Sequence, residues 1–154
     1  GEGAGALWVG VGASRAPRMF CTGIGFGREP APIGSGEPLR ADGLTHAIKA
    51  CLGDAGRELN ELDFRVTDNA GEAYYFKESS LALTRTLRQT KEAFDLWHPA
   101  ECTGETGAAC GVAVIAAAHD ACRKGYAPGA RVLTHWGNDA GQRAAATLEF
   151  GVAA

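Results

Sequence analysis

The hydrophobic and polar positions recur along the chain with spacings that predict its elements. Residues 5–12 (GALWVGVG) form an uncharged apolar run of strand length, and Arg18 to Gly25 (RMFCTGIG) is a second, shorter candidate strand. Residues 28–36 contain Pro30 and Pro32 and show no period, which predicts a loop. Behind Asp42, a residue suited to a helix N-cap, Leu44, Ala47, Ile48, Cys51 and Leu52 fall at helical spacing, and Gly53 to Gly56 ends the run. Asp63 to Thr67 (DFRVT) reads as a strand. Glu72 to about Gln89 reads as a helix with Tyr75, Ser79, Ala82, Leu83, Thr86 and Leu87 on one face and charges on the other. Phe94 to Trp97 is a short strand stopped by Pro99. Gly107 to Lys124 is small and apolar for most of its length, which predicts a helix buried nearly all round, with Gly125 as its stop. Arg131 to Trp136 and Ala144 to Phe150 are two closing strands around the polar stretch 137–143.

The order is ββαβαβαββ. Strands alternating with helices predict an α/β fold: a five-stranded, mostly parallel sheet with helices on both faces, in one domain spanning 1–154. With 154 residues and 45% hydrophobic content, the chain is long enough to bury a core without disulfide or metal staples. A net charge of −3 argues against nucleic acid or an anionic membrane as the main partner, and no apolar run is long enough to span a bilayer. Cys21, Cys51, Cys102, Cys110 and Cys122 are odd in number and contain no CxxC pair, so reduced thiols in a cytoplasmic protein are expected. The chain opens on Gly1-Glu2-Gly3 without Met or a signal-like region, as if taken from something longer.

Local motifs imply no cofactor and no metal. Gly1-x-Gly3-x-x-Ala6 matches a dinucleotide fingerprint, but no strand precedes it and no helix follows. Gly23-x-Gly25-x-Gly27 lacks the Lys and Ser/Thr of a phosphate loop and reads as a turn after a strand. Pro99 breaks the helical geometry that would join His98 to Cys102, and His119 with Cys122 has no third ligand nearby. His46, His98 and His119 read as structural or surface residues. His135, at the end of a predicted strand, stands where α/β sheets place ligands. Cys110 sits in the first turn of a helix, where the dipole favours a thiolate, but its Ala/Gly surroundings favour the neutral thiol. No Gly-x-Ser-x-Gly elbow is present.

Taken end to end, the chain resembles the C-terminal half of a thiolase-fold condensing enzyme of the β-ketoacyl-acyl-carrier-protein synthase family. Gly1-Glu2-Gly3-Ala4-Gly5-Ala6-Leu7 resembles that family's mid-chain Gly-Glu-Gly-Ala-x-Ala-Leu strand. Leu39 to Leu44 resembles the segment before its first C-terminal helix, Thr106 to Gly111 the start of its buried helix, and Val132 to Leu148 its closing strand pair. The resemblance implies two related halves with the nucleophilic cysteine in the first, which this chain lacks. It also implies fatty acid or polyketide synthesis, acyl carrier protein as a partner, and a homo- or hetero-oligomer.

At the family's catalytic positions the sequence departs from the pattern. Asp68 or Asn69 stands at the first histidine, Gly104 or Glu105 at the second, and Ala100 or a neighbour at the lysine. Trp136, Gly137, Asn138 and the residues to Gly141 replace the gating loop, which makes the first three candidates for substrate contact. Condensation needs donors that stabilise a developing enolate and oxyanion, and an ionised carboxylate opposes both. The resemblance therefore implies a half that is inactive alone and packs against an N-terminal, cysteine-bearing half or subunit. The alternatives are a divergent acyltransferase using Asp68, Glu105, His98 or His135 as acid and base, and a module that only grips an acyl group or its carrier protein.

Overall fold

The computed structural model describes residues 2–152, so Gly1 of the fingerprint-like motif lies outside the described residues. The elements are β1 (Arg18–Arg28), α1 (Asp42–Ala55), β2 (Phe64–Thr67), α2 (Ala73–Thr86), β3 (Leu96–Trp97), a single turn α3 (Ala100–Thr103), α4 (Cys110–Lys124), β4 (Arg131–Gly137) and β5 (Gln142–Gly151). They build one five-stranded sheet in the order β1-β5-β4-β2-β3. β2 is parallel to β3 and β4, whereas β5 is antiparallel to both β4 and β1. Four strands thus share one direction and β5 runs against them. Mostly parallel describes the strand directions but not the ladders, half of which are antiparallel. The reason is local: only residues 138–141 join β4 to β5, far too few for the crossover that parallel neighbours need.

Helices cover both faces, but unequally. On one face Leu44, Ile48 and Leu52 of α1 and Ala82 of α2 pack with Leu133 and Ala145 of the sheet. On the other, Val114 and Ala118 of α4 meet Phe64, Val66, Val132 and Leu148. α1 buries seven residues and α4 only three, Val114, Ala118 and Ala121. The expectation of a helix buried nearly all round is corrected here: α4 has one covered face, because among the described residues no layer lies beyond it.

The predicted strand at 5–12 is also corrected. These residues join no ladder, and Trp8, Val9 and Val11 are almost wholly exposed. An apolar run becomes a strand only where a neighbour supplies its backbone hydrogen bonds. The segment instead lies by its first residues along α4, where a Cβ on Gly5 would come within 2.6 Å of Val112.

Gly23, Gly25 and Gly27, expected in a turn, lie inside β1. Their missing side chains let α1 settle directly on the strand: a Cβ on Gly25 would stand 2.2 Å from the carbonyl oxygen of Ala47. The cap of α1 is likewise not Asp42, which is already helical and pairs with Arg85 at 2.6 Å. Glu29, buried in the predicted loop, reaches across so that its carboxylate accepts the Gly43 N–H at 2.8 Å.

These contacts set opposite signs for two glycine substitutions. Gly25→Ala must push α1 off β1 and is expected to cost about 1–3 kcal/mol or more through overpacking. Gly53→Ala, on the open side of α1 with no atom within 4 Å of its Cβ, is expected to stabilise by up to about 1 kcal/mol. Urea unfolding midpoints of the two variants check both.

Candidate functional site

A cleft of about 720 Å³ opens where the chain leaves β2 and β4, between these strand ends and the first turn of α4. Parallel strands release their following loops at this edge, which is why α/β sheets concentrate ligand sites there. Asp68 follows directly on β2, Trp136 and Gly137 close β4, Asn138 and Asp139 form the turn into β5, and Glu105 and Cys110 flank the start of α4. Behind it a void of about 10 Å³, room for one water, reaches Thr67, Ala100 and Gly104.

The charges here are negative. Asp68 accepts the backbone N–H of Gly137 at 2.9 Å, tying the end of β2 to the end of β4. Burial pushes its carboxyl up to about 6; the Gly137 hydrogen bond pulls the other way, and nearby Glu105 adds to the rise. Cys110 is half-buried, and burial raises its thiol, as do the charges of Asp68 and Glu105. These effects outweigh the helix terminus, so the resting group is a thiol rather than a thiolate. The indole N–H of Trp136 is buried without an acceptor among the described residues, next to Gly111.

One wall of the cleft is held by a buried ion pair. Arg143, which the sequence places in a polar connector, lies inside β5. Its Nε donates to both carboxylate oxygens of Glu78 at 2.9 and 3.0 Å, with both side chains at most 2% exposed. Its Nη1 donates to the carbonyls of Asn138 and Gln142, each at 2.8 Å, clamping the turn. Glu78 departs from the expectation that α2 keeps its charges outward: its carboxylate turns inward, where the Arg143 guanidinium offsets the cost of its burial.

The candidate residues divide. Asp68, Gly104 and Glu105 line these spaces, as do Trp136, Gly137 and Asn138. Asn69 turns away and donates to Ser79 Oγ at 3.2 Å. His98 packs edge-on against Phe76, 3.1 Å from Glu101. His135 points to the α1 face beside Leu133 and is buried; burial first, then the charges of Arg65 and Arg143, push it down to about 3, so it stays neutral. Neither histidine lines the cleft. Tyr75, expected on the apolar face of α2, and Asp139, within the stretch that replaces the gating loop, also line it together with Glu72, and none of the three is among the expected site residues.

An α/β half-sandwich with β5 antiparallel to its neighbours and a cleft at the α4 start is a thiolase-like fold. Solved structures carry the same fold. The ketosynthase/chain length factor of ishigamide matches with a TM-score of 0.70 at 18% identity, over 84% of this chain and 37% of that one. The ketosynthase ApeO in complex with its chain length factor ApeC from Xenorhabdus doucetiae matches at 0.74 and 15%, over 88% and 39%. An oxazolomycin ketosynthase domain of Streptomyces albus matches at 0.71 and 16%, over 84% and 44%. The chain thus spans less than half the length of these proteins. No protein-family model and no curated protein matches the sequence. Among the described residues no helix is long and apolar enough to cross a membrane.

The raised Asp68 has a definite pH signature. Its unfolded form ionises near 3.8 and its folded form near 6, so the folded state holds the proton longer. Stability therefore falls as pH rises from about 4 to 6 and is constant above, with a total on the order of 3 kcal/mol. Asp68→Asn keeps an acceptor for Gly137 and removes the titration. Its stability gain over the wild type is expected to grow across that window and level off by pH 7, as read by urea unfolding at stepped pH.

Proposed function

We infer that this chain is a non-catalytic half of a ketosynthase-like condensing enzyme, which packs against a cysteine-bearing half or subunit. The observation that carries the reading is Asp68, half-buried at the cleft with Glu105 nearby. Decarboxylative condensation develops negative charge on an enolate and an oxyanion, and the site must meet it with neutral or positive donors. Two carboxylates there repel that charge. Asp68 also occupies the Gly137 N–H, a backbone donor that would otherwise face the cleft edge. The half-buried neutral thiol of Cys110 offers no nucleophile in compensation. What the cleft keeps is room: Gly107, Ala108 and Gly111 put little side chain along its α4 wall.

One similar structure holds a type II polyketide acyl carrier protein in complex with its ketosynthase. For this chain, contact with an acyl carrier protein belongs to the same proposal, made through the assembled protein rather than this half alone. Five free thiols fit a reducing, cytoplasmic setting.

A second reading has its own observation. A carboxyl raised to about 6 next to another carboxylate can hold and release a proton near neutral pH, as general acid–base catalysis requires. That reading makes the chain a divergent acyltransferase. Incubation of the protein with acyl thioesters, read by intact mass and product analysis, separates the two. The non-catalytic half is expected to yield no acylated protein and no product. Turnover that disappears in Asp68→Asn would establish the divergent enzyme instead.

A further inference from the structure

The short connection between α3 and α4 begins and ends on glycines in the left-handed region: Gly104 has a φ of 69° and Gly107 a φ of 57°. Glycine enters and leaves that region at no steric cost, so the two positions can serve as hinges. Between them stands Glu105, an exposed side chain whose Oε1 accepts the Gly107 N–H at 2.7 Å. Asp68, just after β2, lines with Glu105 both the cleft and the void of about 10 Å³ behind it. The strand side of these spaces is tied down by the Asp68–Gly137 bond and by Arg143 on the turn, which leaves movement to the α3–α4 connection.

The titratable groups that face Asp68 come from the elements around it. Glu105 and the Cys110 thiol approach from the α4 start, Glu78 from α2 and the Arg143 guanidinium from β5, while β4 offers the Gly137 N–H. Glu72 and Asp139 stand further round the cleft, and α3 brings only Ala100 and Thr103 to the void. Arg143 is the one cation of this set, and Glu78 and the turn carbonyls already hold it. Attraction or repulsion between Asp68 and Glu105 is therefore decided by the proton on Asp68.

We propose that the connection Gly104–Gly107 is a pH-operated strap on the cleft, hinged at its two glycines and driven by the Asp68–Glu105 pair. With Asp68 protonated, its O–H donates to a Glu105 oxygen, Glu105 releases the Gly107 N–H, and the strap closes over the void. With Asp68 ionised, the two carboxylates repel, Glu105 returns to Gly107, and the cleft opens beside the first turn of α4. The arrangement described above, with Glu105 on Gly107 and Asp68 on Gly137, is the open one. Burial pushes the Asp68 carboxyl up to about 6, which sets where the changeover falls. The inference rests on the cleft assigned above, and it holds for a cleft that only binds as for one that turns over.

Residual dipolar couplings of the backbone amides test the strap, because they report orientation rather than charge. They are measured on the isotope-labelled whole chain in a neutral gel, at about pH 5 and about pH 8, on either side of the Asp68 titration. The couplings of Glu105, Thr106 and Gly107 are expected to change between the two, while those of β2, β4 and β5 stay fixed and confirm the fold. Asp68→Asn keeps a donor at every pH and Glu105→Gln removes the repulsion, so both variants are expected to show the acid pattern throughout. Wild-type couplings that do not change, or a change that persists in Asp68→Asn, overturn the proposal. Either result leaves the non-catalytic reading standing, since acyl thioester turnover decides that reading and the motion of this segment does not.

Discussion

Backbone packs directly on backbone where α1 crosses β1, and the rest of the molecule is arranged around that contact. Gly23, Gly25 and Gly27 on the strand and Gly43 on the helix leave no room for a Cβ between the two elements. The close approach draws α1 tightly over β1 and β5, so its apolar stripe closes one face of the sheet. It also carries Gly43 to within reach of Glu29, which caps the helix from the end of β1. The other face has no equivalent. α4 rests on β2 and β4 through three buried residues and leaves the β1 side bare. Among the described residues one face is closed and the other open, and apolar side chains such as Ile24 and Phe26 are left exposed on the open side.

The same asymmetry frames the cleft. It lies where strand ends, the α4 start and the β4–β5 turn converge, at the margin of the open side. Its shape is held by polar groups that are themselves satisfied: Asp68 by Gly137, and Arg143 by Glu78 and two turn carbonyls. Buried charge of this kind is costly unless paired, and removing one partner costs more than the pair contributes. The scaffold has therefore kept a rigid site. Its electrostatics are negative, with Asp68 and Glu105 both at the cleft.

Much of the fold was legible in the sequence because periodicity reports local geometry. α1, α4 and the closing strands fall within a few residues of their predicted limits, and the helix stop at Gly125 is a left-handed cap as expected. Of the cleft residues, Asp68, Glu105 and Trp136 to Asn138 came from the resemblance to the family's motifs, not from any local pattern. Helical spacing assigns Tyr75 to the apolar face of α2 and nothing local marks Glu72 or Asp139 as cleft residues, while His135, near a strand end, faces the α1 side instead. Side-chain direction on a strand changes with every residue, so one step decided that His135 faces α1 and Trp136 the cleft.

By itself the sequence determined the alternation of strands and helices, the uncharged character of α4 and the presence of carboxylates at two sensitive positions. These follow from residue type and spacing, which act over a few residues. Tertiary structure alone decided that Gly23 to Gly27 are a packing surface, that Glu78 and Arg143 meet inside, and that residues 5–12 find no ladder. Each of those depends on what lies opposite in space, from 16 residues away for Gly27 and Gly43 to 65 for Glu78 and Arg143, in ways no local period records, and a backbone hydrogen bond or a buried charge exists only with its partner.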